Sequence, residues 1–296
     1  MSDTASSSTA IDLSRLPAPS FLAPLSYEQE RADLVAFFQT VLPEFDATIP
    51  SDPAVKLLEV IAYYVMLKGQ EFNERALQTM LAYATGADLD NLGALVNVER
   101  LIIEEASGSD PAVYESDADL RRRIQLAPES FSVAGPATAY RFHALSADAT
   151  IADALATSPT PGAVLVTILS RLGDGTASPD QIAAVEAVVT SREVRPLTDM
   201  VTVASVELIA FTVLATLTLF HGPDAVVVLA AAEERLDAYI ADARKIGRPV
   251  TRSGIIAALH VEGVLNVALA HPAADILPNG TQLAHCTGTD VMLADD

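Results

Sequence analysis

The sequence has almost no cysteine and no tryptophan: Cys286 is its single thiol. One cysteine cannot form an intramolecular disulfide, so the fold does not depend on an oxidising compartment. The N-terminal stretch is acidic and rich in serine, whereas a secretory signal begins with positive charge followed by an apolar segment. We therefore expect a protein that is not exported by a Sec-type signal and that is stabilised without disulfides.

Basic residues are also scarce. The chain has 18 Lys and Arg against 39 Asp and Glu, which gives a formal net charge of −21. Such a charge repels the phosphates of nucleic acids and of anionic lipid surfaces. The most apolar run, Leu208 to Phe220, has about half of the ~20 residues that a membrane helix needs. We expect neither nucleic acid nor membrane as a partner, and we interpret that run as a buried strand.

Apolar residues, in contrast, are abundant. Half of the 296 residues are hydrophobic, and the mean hydropathy is +0.32. A chain of this length buries roughly three quarters of its unfolded surface, which excludes global disorder. At about 150 residues per domain, two domains are expected.

The first hundred residues are predicted to be helical. Residues 1–25 mix Ser, Thr, Ala and Pro without a helical period and indicate an extended arm. Residues 26–103 follow as a helical bundle region, in which Ser26 with Gln29 makes a capping box and Asp52 with Pro53 starts a second helix.

The pattern then changes to strands and short helices. Residues 104–206 predict a first α/β unit and residues 207–272 a second, because β-branched runs alternate there with helical periods. Pro161 and Gly162 fit a turn that requires a positive φ. Residues 273–296 are rich in turn residues and predict a C-terminal tail without a core. The predicted class is α+β, with an N-terminal helical region followed by one or two small α/β units with mixed sheets.

A weak internal similarity links the two α/β units. Residues 144–155 align without gaps with residues 258–269, and both stretches end a predicted helix and lead into a strand. Two explanations are equally good. Either the two units are related, or two helix-to-strand junctions are alike only in composition.

No constellation of chemical groups points to a reaction. Gly173-Asp174-Gly175 follows a strand, but the third glycine of a dinucleotide fingerprint is replaced by Ser178, and no Gly-Lys-Ser/Thr loop occurs. None of the five histidines is three or four residues from another, so no helix carries a pair of metal ligands. No G-x-S-x-G elbow is present. We expect no catalytic residue, no metal and no cofactor.

The single basic run consists of Arg121, Arg122 and Arg123. Three consecutive residues of a helix spread over about 200°, so they cannot all face one anion. Salt bridges to acidic neighbours are the simpler interpretation.

Aromatic residues are concentrated in the helical region, and two adjacent pairs stand out. Neighbours on a helix differ by about 100° around its axis, so adjacent aromatics cannot all face one core. We predict a partner interface there, and the alternative is a helix surrounded inside its own bundle. The candidate interface residues are Phe37, Phe38, Tyr63, Tyr64 and Phe72.

Several ordered segments between residues 86 and 206 resemble the baseplate J-like family, the assembly proteins of contractile-tailed phages and related contractile injection particles. The resemblance is carried by these residues: Gly86, Leu89, Asp90, Leu92, Gly93, Val98 and Arg100; then Glu115, Ser116, Asp117, Leu120, Arg121 and Arg123; then Gly135, Tyr140 and Ala144; then Asp153-Ala154, Pro161-Gly162 and Val164 to Leu169; and last Arg195-Pro196, Thr198-Asp199 and Val201.

The resemblance implies a structural subunit of a phage tail baseplate wedge and no enzyme. In this family two copies join one smaller wedge protein through a helical bundle, and six wedges form a ring around the tail hub. The implied partners are other copies of the chain, the smaller wedge protein, the sheath-initiating baseplate protein and the tail hub. The implied location is the virion, with the host cytoplasm during assembly.

Two other hypotheses remain open from the sequence. One is a metal-dependent hydrolase that uses His260, His271 and His285. The other is a soluble oligomeric binding module unrelated to phage.

Overall fold

A computed structural model describes residues 11–294 apart from 12, 18, 23, 133–134 and 223. Much of the predicted arm, 1–25, lies outside the described residues, and its described part includes a short 3₁₀ helix, Leu13–Arg15. The chain divides into two compact units, which meet in sequence between Glu99 and Arg100.

The N-terminal unit is helical. Its three α-helices are α1 Tyr27–Val41, α2 Pro53–Leu77 and α3 Gly86–Ala94. The side chain of Ser26 accepts the backbone N–H of Gln29, and that of Asp52 accepts the N–H of Ala54, so both predicted caps form. The Gln29 side chain donates to Asp33 Oδ1 at 2.8 Å, one turn further along the helix, so only the Ser26 half of the predicted capping box forms.

The second unit carries five more α-helices and all the strands of the described residues. The helices are α4 Asp117–Leu126, α5 Ala137–Ala147, α6 Pro179–Val189, α7 Ala225–Ala243 and α8 Arg252–Leu259, with a 3₁₀ helix at Ala127–Phe131. The strands are β1 Ile102–Glu104, β2 Val113–Tyr114, β3 Ile151–Thr157, β4 Ala163–Ser170, β5 Met200–Ser205, β6 Glu207–Leu219, β7 Val264–His271 and β8 Gln282–Leu293. The predicted α+β class with mixed sheets is confirmed.

The first mixed sheet has the strand order β3-β4-β5. The central strand β4 is antiparallel to β3 and parallel to β5. Because side chains alternate along a strand, Val166 and Ile168 face helices α5 and α6, whereas Leu169 faces the opposite side. The parallel return to β5 needs a crossover, and α6 supplies it.

The second mixed sheet has the order β7-β6-β8. Its central strand β6 is antiparallel to β7 and parallel to β8. Alternate residues of β6, from Phe211 to Leu217, are buried against α7 and α8. The predicted strand from Leu208 to Phe220 is therefore amphipathic, with one face covered by helices.

Val206 joins the two sheets. Its N–H donates to the carbonyl of Ile168 in the first sheet, and the N–H of the next residue, Glu207, donates to the carbonyl of Thr281 beside the second. A small core spans the junction and contains Leu169, Val206, Ile246 and Leu283. The two sheets therefore share one core at this junction.

The prediction of a coreless tail after residue 272 is wrong for residues 282–293. This segment forms β8, which pairs with β6 along eleven residues, and Leu283 is completely buried. The prediction treated the Thr, Gly and Asp residues of this segment as turn residues. The outward face of an edge strand also tolerates polar and small side chains, so these residues are compatible with a strand. Strands β1 and β2 were not predicted either, since three and two residues are too short to show a period.

The two sheets share a pairing scheme, but the chain order differs. In each, the central strand has one antiparallel and one parallel neighbour, and a helix follows the central strand. However, β3 precedes its central strand in sequence, whereas both neighbours of β6 follow it. The common origin of the two units stays a hypothesis.

We expect Gly162→Val to lower the free energy of unfolding by about 1–2 kcal/mol, because Gly162 has φ +82°, a conformation that a β-branched residue resists. Thermal unfolding should show a melting temperature several degrees lower. Gly288→Val is the matched control, since a side chain there meets open space. Equal melting temperatures for the two variants would contradict the turn assignment.

Candidate functional site

Helix α2 has apolar side chains on more than one side. Val55, Leu58 and Ala62 recur at helical spacing and are buried within the N-terminal unit. Other large apolar residues of the same helix are exposed: Leu57, Val60, Ile61, Tyr63, Tyr64, Val65, Leu67 and Phe72. Scattered single apolar residues are ordinary on a surface, but a set of this size on one helix is typical of a surface that a partner covers.

Helix α1 has no fully buried residue. A 15-residue helix is marginal on its own, because most helix stability in proteins comes from packing of an apolar face. Phe37 and Val41 on its outer side are about 70% exposed. The helix therefore gains little from its own unit and would gain more from a covering partner.

Four of the five predicted interface residues are exposed and one is not. Phe37, Tyr63, Tyr64 and Phe72 are each more than half exposed. Phe38 is partly buried because its ring packs edge-on against Phe45 at 4.8 Å between centroids. The alternative of a helix enclosed in its own bundle does not describe these four side chains within the described residues.

An open groove of about 540 Å³ runs along this surface. It is lined by Tyr27, Lys56, Glu59, Val60, Tyr63 and Met66. Glu59 Oε2 lies 2.8 Å from Lys56 Nζ, and Glu59 Oε1 lies 3.6 Å from Arg31 Nε. Positive and negative side chains therefore both border the groove. The hydrogen bond from Lys56 holds the pKa of Glu59 below its ordinary value. An apolar floor with charged edges suits another helix better than a small polar ligand.

In the second unit, Asp153 on β3 is the centre of a buried ion cluster. Its Oδ1 accepts hydrogen bonds from Arg122 Nη2 at 2.5 Å, from Arg141 Nη2 at 3.0 Å and from the N–H of Ala154 at 2.8 Å. Its Oδ2 accepts the N–H of Ile246 at 3.2 Å. One carboxylate thus joins α4, α5 and β3 to the segment after α7.

Burial alone would raise the pKa of Asp153, but the two guanidinium groups outweigh it and hold that pKa below its ordinary value. The carboxylate is therefore ionised at neutral pH, and both of its oxygens accept hydrogen bonds. Such a group is fixed in place, which suits a structural joint and not proton transfer.

A second buried ion pair lies between Glu115 and Arg123. Arg123 Nη1 is 2.5 Å from Glu115 Oε1, and the same oxygen accepts the N–H of Leu101. Burial raises the pKa of Glu115 and lowers the pKa of Arg123, against the opposing effect of their mutual attraction. Arg100 reinforces the cluster through the carbonyl of Glu115 and the carboxylate of Asp117.

Arg122 and Arg123 of the arginine run form the predicted salt bridges, on different sides of α4. Arg122 binds Asp153, Arg123 binds Glu115, and Arg121 donates to the carbonyl of Asp117 at 3.5 Å. Sequence reasoning missed the role of Asp153, although one signal was available. A charged residue inside the apolar strand Ile151–Thr157 must be paired if it is buried.

The glycine-containing turn after β4 has a structural role. Gly175 has φ +107°, and a side chain there would lie 2.6 Å from Leu169, so this glycine allows close packing rather than phosphate binding. Among the described residues, no group of three or more His, Cys, Asp and Glu side chains is arranged to hold a metal ion. Of the three histidines of the hydrolase hypothesis, His260 follows α8, His271 ends β7 and His285 lies in β8. No described helix is long and apolar enough to cross a bilayer.

Family models match three successive parts of the chain. They are the baseplate J-like N-terminal domain at residues 50–107, the central domain at residues 132–205 and the C-terminal domain at residues 211–291. A protein called Baseplate protein J, from Escherichia phage P2, is 44% identical over 288 residues, which cover 94% of this chain and 95% of that protein.

Among solved structures, the six-fold symmetrised cryo-EM structure of the anti-feeding prophage baseplate contains a similar chain. The TM-score is 0.43 at 18% identity, over 63% of this chain and 47% of that chain. The sequence matches alone are sufficient to assign the family. With three family models in order along the chain and 44% identity over nearly its whole length, the protein belongs to the baseplate J-like family.

Proposed function

We propose that the protein is a non-enzymatic subunit of the baseplate wedge of a contractile phage tail. In this role it assembles with a smaller wedge protein into a six-fold ring around the tail hub and transmits the trigger for contraction. Family membership supports a structural baseplate protein, and the match to Baseplate protein J of phage P2 supports a phage particle as its location. During assembly the subunit resides in the host cytoplasm.

The observation that carries this proposal is the exposed apolar surface of α1 and α2. Tyr63, Tyr64 and Phe72 are well placed for a helix of another chain to cover them, as in a shared bundle. Buried aromatic side chains contribute more binding free energy to an interface than almost any other type of side chain. A subunit whose helices are completed by other chains is a component of an assembly.

The proposed partners are other copies of this chain, the smaller wedge protein, the sheath-initiating baseplate protein and the tail hub. The formal charge of −21 argues against nucleic acid and anionic membranes as partners. In this proposal residues 26–103 supply the bundle, and the units 104–206 and 207–272, the latter completed by β8, supply the ring contacts.

Co-expression with the neighbouring baseplate proteins tests the proposal directly. We expect the tagged chain to co-purify with a smaller wedge protein in a fixed ratio, and electron microscopy of the particle to place both in the baseplate. A chain that remains monomeric in the presence of all neighbouring baseplate proteins would overturn the proposal.

The double variant Tyr63→Ser/Tyr64→Ser should bind the smaller wedge protein at least tenfold more weakly, because it removes two exposed rings from the proposed interface. Its melting temperature should stay close to that of the unchanged protein, since neither ring is buried. Isothermal titration calorimetry and thermal unfolding measure the two quantities. Tyr114→Ser, an exposed tyrosine on β2, is the control and should change neither. An insoluble double variant would instead mean that the rings belong to a core.

A further inference from the structure

The loop before β8 contains the one asparagine of the chain that precedes a glycine. The chain has five asparagines, and the residues that follow the other four are Glu, Leu or Val. Asn279 is exposed to solvent, and Gly280 follows it. Glycine has no Cβ to shield its backbone nitrogen from the preceding side chain. That nitrogen can therefore reach the side-chain amide carbon of Asn279.

The folded loop holds the Asn279 side chain along its own backbone. Asn279 Oδ1 accepts the N–H of Thr281 at 2.8 Å and the hydroxyl of Thr281 at 2.8 Å. The carbonyl of Asn279 accepts the N–H of Gln282, which closes the turn. A side chain that bonds the second following backbone nitrogen lies alongside the first, which belongs to Gly280. The turn therefore keeps the amide carbon beside the nitrogen that would attack it.

The same hydrogen bonds make the side-chain amide of Asn279 more reactive. When a nucleophile adds to the amide carbon, negative charge develops on Oδ1, and donors already directed at that oxygen stabilise the charge. The backbone N–H and the hydroxyl of Thr281 are two such donors. The turn thus both positions and activates this side chain.

We propose that Asn279 is a site of spontaneous deamidation and that the Thr281 hydroxyl promotes the reaction. The Gly280 nitrogen forms a bond to Cγ of Asn279 and loses its proton to a base in the solvent. The Cγ–Nδ2 bond breaks, and the leaving nitrogen takes up a proton and departs as ammonia. Water then opens the resulting cyclic imide at one carbonyl or the other, which leaves aspartate or isoaspartate at this position. The reaction needs no partner, so its outcome is independent of the proposed function.

The two products differ in their effect on the fold. Aspartate keeps a side-chain oxygen that accepts the same hydrogen bonds from Thr281. Isoaspartate routes the backbone through the former side chain and lengthens it, yet a Cβ on Gly280 would already lie 3.0 Å from Thr157 Cγ2 on β3. The carbonyl of Thr281 also accepts the N–H of Glu207 at the start of β6. Isoaspartate should therefore loosen the contacts of this loop with both sheets.

Ageing of the purified full-length protein tests the proposal. In mildly alkaline buffer at physiological temperature, a more acidic species should accumulate on isoelectric focusing, because a neutral amide becomes a carboxylate. Peptide mass spectrometry should show deamidation at Asn279 about tenfold or more faster than at the four other asparagines, which are controls within the same sample. These controls are Asn73, Asn91, Asn97 and Asn266. Deamidation at Asn279 no faster than at the controls would overturn the proposal.

Three variants separate the site from the role of its neighbour. Asn279→Gln should stop the growth of the acidic species, because the longer side chain must close a larger ring. Thr281→Val should slow the reaction about threefold, since it removes one hydrogen-bond donor to Oδ1. Thr281→Ser retains a hydroxyl and should react like the unchanged protein. Undiminished growth of the acidic species in Asn279→Gln would overturn the site, and an undiminished rate in Thr281→Val would overturn the role of the hydroxyl.

Thermal unfolding tests the effect on the loop. Asn279→Asp should melt at a temperature close to that of the unchanged protein, because its carboxylate accepts the bonds from Thr281. The aged acidic species also contains isoaspartate and should melt at a lower temperature than Asn279→Asp. Equal melting temperatures for these two samples would overturn the predicted loosening of the loop.

Discussion

Asp153→Ala is expected to lower the free energy of unfolding by about 3–5 kcal/mol, because it leaves two guanidinium groups without their buried counter-ion. Asp153 is 3% exposed, and its carboxylate accepts bonds from Arg122, Arg141 and the N–H of Ile246. The last bond also ties the first sheet to the segment that precedes the last helix. We therefore expect the variant to lose stability and the coupling between the two sheets.

Denaturant unfolding measures the stability, and hydrogen exchange measures the coupling. In the Asp153→Ala variant, the amide hydrogens of β6 to β8 should exchange with solvent through opening events separate from those that expose the amide hydrogens of β3 to β5. Asp290→Ala is the matched control, since Asp290 lies on the outward face of β8, and it should change stability by less than about 0.5 kcal/mol. A loss in Asp153→Ala no larger than that of the control would contradict the role of this cluster.

The same carboxylate should make stability depend on acid. The pKa of Asp153 in the folded protein lies below the unfolded value of about 3.9. Its contribution is therefore present above pH ~4 and is lost as the pH falls through the folded pKa. The difference in unfolding free energy between the unchanged protein and Asp153→Ala should shrink accordingly in that acidic range.

The second large effect is expected at the pair Glu115 and Arg123. Glu115→Leu or Arg123→Met alone should lower the free energy of unfolding by about 3–5 kcal/mol, because each leaves one buried charge without its partner. Burial raises the pKa of Glu115 and lowers that of Arg123, so the surroundings oppose both charges. The double variant should therefore recover most of the loss.

A double-mutant cycle measured by urea unfolding tests this expectation. The control cycle uses Glu71→Leu and Arg75→Met, an exposed pair on α2 with an N–O distance of 2.5 Å. Exposed pairs contribute little, so its coupling should stay below about 1 kcal/mol. A coupling at Glu115 and Arg123 no greater than in the control cycle would show that burial does not matter there.

Local signals predicted the elements that local chemistry controls. Ser26 and Asp52 cap helices where the sequence placed them, and Gly162 adopts the positive φ that its turn requires. Caps and turns depend on residues within a few positions of one another, which a single sequence displays. Apolar side chains on more than one side of α1 and α2 could also be predicted from the sequence, because helical geometry fixes the direction in which each side chain points.

Contacts between distant segments could not be predicted in this way. Polar and small residues interrupt the apolar residues of β8, and its place in the sheet follows from pairing with β6, about 75 positions earlier. The N–H of Ile246 and the carboxylate of Asp153 are 93 positions apart. No local period records such partners, because each is chosen by the packing of whole elements.

For this protein the sequence alone determined the α+β class, the caps, the turns, the acidic character and the resemblance to its family, since these depend on composition and on short spacings. Only the tertiary structure decided that the predicted tail contains a strand and that Asp153 joins the two sheets. It also decided that Phe38 is partly buried whereas Phe37 is exposed to solvent. The physical reason is that burial and pairing are properties of segments brought together by folding, and a residue's neighbours in the chain do not specify them.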